Sequence, residues 1–115
     1  MRKLINSFKY AICGIGTAMK RERNLKIHII IMLLVITAGF VFNISIIEWI
    51  ICIILFGLVI SAEMFNTAIE ITVDIAMPEK NEKAKKAKDI SAGAVLITAI
   101  VSAIIGLIIF VPKIF

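Results

Sequence analysis

Two glutamates, an asparagine and an aspartate share one stripe of a helix that is otherwise apolar. The segment reads Glu63-Met64-Phe65-Asn66-Thr67-Ala68-Ile69-Glu70, and Asp74 follows one turn later. At about 100° and 1.5 Å per residue, positions 63, 66/67, 70 and 74 fall on a single face. An ionised carboxylate in or beside a bilayer costs about 2 to 4 kcal/mol on insertion scales. Three on one face therefore need water, a cation or a ligand as partner, and the stripe reads as a site, not as a packing face. Glu63 and Glu70 stand about 10 Å apart along the axis. That is too far to share a proton, so the two have different tasks.

The elements that must position this stripe follow from composition. Of 115 residues, 61% are hydrophobic, more apolar side chain than a water-soluble core can use. The runs 27–47 and 90–111 are almost uninterrupted, and 46–77 is apolar as far as Glu63. About 20 residues cross a hydrocarbon core of about 30 Å. The expected fold is an all-α integral membrane protein, with 1–115 as one domain and spans near 27–47, 46–77 and 90–111. Residues 3–20 carry Leu4, Phe8, Ala11/Ile12, Ile15 and Ala18/Met19 at helical spacing but are too short and charged to span. They read as an N-terminal amphipathic helix at the interface, with a bend or close helix approach expected at Gly14 and Gly16.

Charge sets the expected orientation. Seven Lys/Arg (Arg2, Lys3, Lys9, Lys20, Arg21, Arg23, Lys26) precede the first span, five (Lys80, Lys83, Lys85, Lys86, Lys88) lie between the second and third, and the connection at 43–48 has none. By the positive-inside rule the N-terminus and the Lys-rich loop are cytoplasmic and the C-terminus is outside. The net charge of +5 thus reads as topology and affinity for anionic headgroups. Nucleic-acid binding is not expected, because the basic loop has no interleaved aromatics. No cleaved signal peptide is expected, and Cys13 and Cys52 read as small apolar residues.

The second helix is longer than its membrane: 46–77 would extend about 48 Å. With Glu48 and Trp49 at the outer interface, hydrocarbon ends near Phe65. Glu63 then sits at the inner boundary, and Glu70 and Asp74 project into the cytoplasm. Pro78 stops the helix, and 81–88 is an acid–base stretch of helical propensity. Ala94, Thr98, Ser102 and Gly106 recur at four-residue steps and read as a packing stripe of the third span. The stretch 20–26 reads first as a positive anchor; Glu22 and Asn24 gain interest if they face the Glu70 stripe.

Carboxylates, an amide and Lys88-Asp89 at one membrane face suit chemistry on phosphate. Mg²⁺ favours a few carboxylates with phosphate oxygens and water, and Lys supplies a point charge. A carboxylate at the lipid boundary could accept the proton of a lipid hydroxyl. There is no GxxxxGK[ST] loop and no kinase-type GxGxxG. On residues alone, a small ion- or proton-coupled transporter and an enzyme stand level.

The ordered set Ser7-Phe8-Lys9-Tyr10-Ala11 with Gly14, Glu22-Arg23-Asn24-Leu25-Lys26-Ile27-His28, the 63–70 segment with Asp74, and Ala87-Lys88-Asp89 with Ala92-Gly93-Ala94-Val95-Leu96 closely resembles the prokaryotic diacylglycerol kinase family. The resemblance covers essentially the whole chain at the same spacing, and E-x-x-N-[ST]-A-I-E is highly specific. It implies an ATP- and Mg²⁺-dependent lipid kinase of the inner-membrane face: a homotrimer of three-span protomers with active sites shared between neighbours. Residue by residue, it implies that Glu63 is the catalytic base and that Glu22 and Glu70 are associated with Mg²⁺. Lys3, Tyr10, Glu22, Glu70, Glu79, Lys80, Asn81, Lys88 and Asp89 would meet ATP, and Lys9, Arg23, Asn24, His28, Asn66 and Asp74 would support the site or the lipid. The segment at 79–81 differs in side chains from the best-known branch. His28 replaces an acid of the diacylglycerol-specific branch and makes the chain look like the Gram-positive-type branch, whose members commonly phosphorylate undecaprenol; diacylglycerol is the alternative acceptor. His28 itself reads either as an interface residue or as a lipid selector.

Overall fold

A chain this apolar must satisfy its backbone hydrogen bonds within its own segments wherever it meets hydrocarbon. The computed structural model, which describes all residues from Met1 to Phe115, does so with four helices and no strand. They are α1 (Arg2–Arg21), α2 (Arg23–Val41), α3 (Ile46–Ala76) and α4 (Glu82–Ile114). Of 96 backbone hydrogen bonds, 87 lie inside these helices, so each span pairs its own main chain between its ends. Three helices, α2, α3 and α4, are long and apolar enough to cross a membrane.

One residue separates α1 from α2. Glu22 adopts an extended conformation (φ −101°, ψ 114°), while its amide still closes on the Ala18 carbonyl at 2.9 Å. Lys20 and Arg21 occupy the last turn of α1, where cations favour the helix dipole. α1 meets the rest of the chain at this end, where Ala18 is buried, and residues 1–15 are exposed apart from half-buried Asn6. The close helix approach expected at Gly14 and Gly16 as the alternative to a bend is absent. The helix runs through both, and a Cβ at either would meet nothing within 4 Å, because no other element approaches that part of α1.

α2 closes at Val41, not at 47. The apolar run is interrupted by a tight turn in which only Ile44 packs inward. Asn43 takes the left-handed conformation (φ 52°) that Asn tolerates. The Ile44 amide bonds to the Gly39 carbonyl and the Asn43 amide to that of Phe40, which together form a Schellman closure. Ser45 then caps α3 reciprocally with Glu48. Gly39 is required by contact: a Cβ there would lie 2.6 Å from Trp49 Cη2 and 2.8 Å from Cζ2. At the same end Lys113 Nζ donates to Glu48 Oε2 at 2.8 Å and ties the end of α4 to the start of α3.

With that end pinned, length differences appear at the other. α2 has 19 residues, α3 31 and α4 33, or about 28, 46 and 50 Å of helix. The α3–α4 hairpin therefore projects beyond the reach of α2. Met77 ends α3 just before Pro78, and Asn81 caps α4 by accepting from the Lys83 and Ala84 amides. The expected span 90–111 is the apolar part of a longer helix that begins at Glu82.

α3 is the central element. It packs against both α2 and α4, which flank it without packing on each other. Around the pinned end its surroundings are apolar: Ile44, Cys52 and Ile109, with Trp49, Phe56 and Phe110 against them. Nearer the basic end the buried residues turn polar, at Glu63, Asn66, Thr67 and Ser91. The inward face of α4 is Ser91, Val95, Thr98, Ser102 and Ile109, with Ala94 exposed. Of the expected four-residue stripe, Thr98, Ser102 and Gly106 lie on the inward side and only Ala94 is exposed. Only 12 of 115 residues are buried, so most apolar side chains face outward, toward lipid or another chain.

Candidate active site

Glu63 is the most deeply enclosed ionisable group of the protein, 1% exposed. Helix α3 carries it inward between α2 and α4. From α2, His28 Nε2 lies 3.1 Å from Glu63 Oε1. The second oxygen, Oε2, is buried and has no hydrogen-bond partner. One turn on, Thr67 Oγ1 donates to the Glu63 carbonyl at 3.0 Å and has no proton left for the carboxylate.

Asn66 ties half-buried Glu70 to the α3–α4 seam. Its Nδ2 donates to Glu70 Oε1 at 3.2 Å, and its Oδ1 accepts from Ser91 Oγ at 2.6 Å. This orientation is forced, because an ionised Glu70 only accepts and so requires the NH₂ end. Ser91 Oγ also lies 2.9 Å from the Lys88 carbonyl, which fixes it at the α3–α4 seam. Glu22, at the α1–α2 break, has a side chain 16% exposed, with Arg21 Nε at 3.9 Å. The charges of Glu22 and Glu70 both act on Glu63, so the three carboxylates belong to one electrostatic neighbourhood within a single chain.

Beyond Glu70, Asp74 on α3 is paired with Lys88 on α4. They lie on the wall of a cleft of about 610 Å³ that also takes in Glu79, Lys80 and Asn81 of the connecting turn. Asp89 points elsewhere: its side chain is 61% exposed and bonds to Lys85 at 2.6 Å. Lys3, Lys9 and Tyr10 on α1, and Arg23 and Asn24 in the first turn of α2, are exposed, and their side chains make no hydrogen bond within the chain. A second cleft, about 280 Å³ and almost wholly apolar, lies between α2 and α4, with His28 and Val59 among its lining residues.

The chain thus joins Glu63 to His28, Asn66 to Glu70, and Asp74 to Lys88, and it leaves the α1 residues and Asp89 outside this group. No three His, Cys, Asp or Glu side chains converge on a point where they would hold a metal ion by themselves. Reading the sequence did not find Ser91, whose only signal was a hydroxyl at the head of an apolar run. It also did not find the contact of His28 with Glu63, which are 35 positions apart.

Comparison with known proteins identifies the family. Residues 9–110 match the sequence profile of the family described as prokaryotic diacylglycerol kinase. An undecaprenol kinase of Bacillus subtilis (strain 168) is 43% identical over 113 residues, 98% of this chain and 92% of the relative. A diacylglycerol kinase of Synechocystis sp. is 37% identical over 95% of this chain and 63% of its own length. A diacylglycerol kinase of Haemophilus influenzae is 33% identical over 89% and 86%. The chain belongs to the prokaryotic diacylglycerol kinase family and is a lipid kinase.

Proposed function

We propose that this kinase transfers the γ-phosphoryl group of ATP to the hydroxyl of undecaprenol at the cytoplasmic face of the cell membrane. The observation that carries the chemistry is Glu63: a carboxylate enclosed among lipid-spanning helices, held at Oε1 and without a partner at Oε2. A lipid hydroxyl donating to Oε2 completes its hydrogen bonding. During transfer the hydroxyl proton passes to Glu63, the hydroxyl oxygen bonds to the γ-phosphorus, and the bond to the β–γ bridging oxygen breaks to release ADP. ATP is seated at the basic end, where Lys88, Glu79, Lys80 and Asn81 surround the larger cleft. Asn66 holds Glu70 through its Nδ2.

The donor set fits Mg²⁺ in its usual manner with nucleotides. Two carboxylates, Glu22 and Glu70, are too few for a protein-only cage but enough where phosphate oxygens and waters supply the rest. Bound there, the ion would offset charge on the triphosphate.

The distribution of Lys and Arg supports a cytoplasmic N-terminus and α3–α4 turn. The exposed apolar residues Leu4, Phe8, Ile12 and Ile15 on α1 support its lying at the interface as an amphipathic helix. The outward apolar surface of the spans supports a homotrimer with sites shared between protomers. Undecaprenol is preferred over diacylglycerol on the 43% identity to an undecaprenol kinase along nearly the full length of both chains. Family membership sets aside the transporter that the polar stripe alone would also allow. The test is phosphate incorporation by purified protein into the two lipids, side by side in one detergent with ATP and Mg²⁺. Preference for diacylglycerol would overturn the acceptor, and ATP consumption independent of either lipid would overturn the reaction.

A further inference from the structure

Two observations about Glu63 are not explained by its role as base alone: only one of its oxygens has a protein partner, and that partner comes from another helix. The groups on α3 that could hold the carboxylate are committed elsewhere. Asn66 spans Glu70 and Ser91, and Thr67 turns back to the Glu63 carbonyl. The flexible glutamate side chain therefore has a single anchor, His28 Nε2 on α2. The nearby charged groups, Glu22 and Glu70, are both acids and cannot hold it.

We propose that His28 is the positioning residue of the transfer reaction, the Nε2–H donor that fixes Glu63 so that Oε2 is the atom presented to the acceptor hydroxyl. This rests on the reading of Glu63 as base. An ionised carboxylate only accepts, so the proton at this contact belongs to Nε2. Occupying Oε1 leaves one oxygen available, and that oxygen is buried where no group of the chain reaches it. A buried acceptor without a partner is costly, and a lipid hydroxyl is a donor that supplies what is missing. The His28 side chain is 22% exposed against 1% for Glu63, and it also lines the apolar cleft between α2 and α4. The ring thus lines the apolar cleft and contacts the base. The acceptor's proton goes to Glu63 Oε2 and His28 keeps its own, so His28 acts through Glu63 and is not itself the base.

The test uses full-length protein in detergent with ATP, Mg²⁺ and undecaprenol. His28→Gln places an amide N–H near the position of Nε2, His28→Asn carries the same amide too short to reach, and His28→Leu has no donor. The expected result is a fall in kcat of about 10- to 100-fold for His28→Leu and His28→Asn, with KM for ATP unchanged. His28→Gln recovers most of that loss. In the Glu63→Gln background, His28→Leu costs less than about threefold more, because the group it acts through is already gone. Equal losses for Gln and Asn, a loss confined to KM, or full multiplication of the two losses overturns the assignment. Should His28→Leu fail to fold, the Gln–Asn comparison decides alone. A fully active His28→Leu beside an inactive Glu63→Gln removes His28 only; an active Glu63→Gln removes the base and this inference with it.

Discussion

A carboxylate enclosed to 1% exposure among helices that face lipid is costly to keep charged, and the chain spends only one side-chain hydrogen bond on it. Glu63→Gln keeps the shape and cannot accept a proton. Turnover should fall by about 100-fold or more, while thermal unfolding in detergent shifts little or upward, because a buried charge has been removed. Near-wild-type turnover by folded Glu63→Gln would take the base role away. The half-buried acids answer to a different variable. Glu70→Gln and Glu22→Gln should raise the Mg²⁺·ATP concentration needed for half-maximal rate, whereas Glu48→Gln, at the opposite end of α3, should not. Titrating Mg²⁺ and ATP against each variant checks this, and a Glu70→Gln protein with wild-type saturation would refute the metal assignment. Much of this acidic set was legible in the sequence, because a carboxylate stripe on an apolar helix has few structural explanations. The partner of Glu63 was not. His28 reaches it only through the register of α2 against α3, which no spacing along the chain encodes.

The helices themselves were easier to read than the turns between them. Long apolar runs announce three helices by length, yet Phe42 and Ile44 carry apolar character into the turn at 42–45, and the span expected to reach 47 ends at Val41. What breaks it is Asn43 in the left-handed region and the Ser45–Glu48 cap, two local signals that the surrounding Ile and Phe conceal. Gly39 is the point where this turn is vulnerable. Gly39→Ala puts a methyl 2.6 Å from the Trp49 ring, so ring or backbone must move, at a cost of about 1 to 3 kcal/mol. Thermal unfolding should register the loss, and adding Trp49→Phe, which removes both Cη2 and Cζ2, should return most of it. The specific activity of the protein that remains folded should be unchanged, since Glu63 lies far along α3 from this turn. A Gly39→Ala protein as stable as the parent would mean that the indole does not sit over Gly39.

The chain as a whole is a thin slab, 52 × 43 × 20 Å, too shallow to enclose an amphiphile and a triphosphate by itself. Its own geometry indicates which residues a neighbour would supply. Ser91 turns inward on α4 to Asn66, whereas Asp89, two positions earlier, lies on a different face and is spent on an exposed bond to Lys85. On the proposed shared-site reading, Asp89 serves the site of a neighbouring protomer. Glu22, Glu63 and Glu70, by contrast, share one neighbourhood within the same chain. Subunit mixing therefore has two opposite expected outcomes in the proposed homotrimer. Combining Glu63→Gln with Asp89→Asn leaves roughly one intact site in each mixed trimer, and random assembly should return about a quarter of wild-type activity. Combining Glu22→Gln with Glu70→Gln should return no activity above that of the two variants alone, because every site keeps one lesion. Asp89→Asn removes only an exposed ion pair, of little worth to stability, so its inactivity would not reflect unfolding. With mixed trimers verified by differential tags, no recovery in the first pair would place Asp89 with its own chain's Glu63, and recovery in the second would divide the metal-holding acids between protomers.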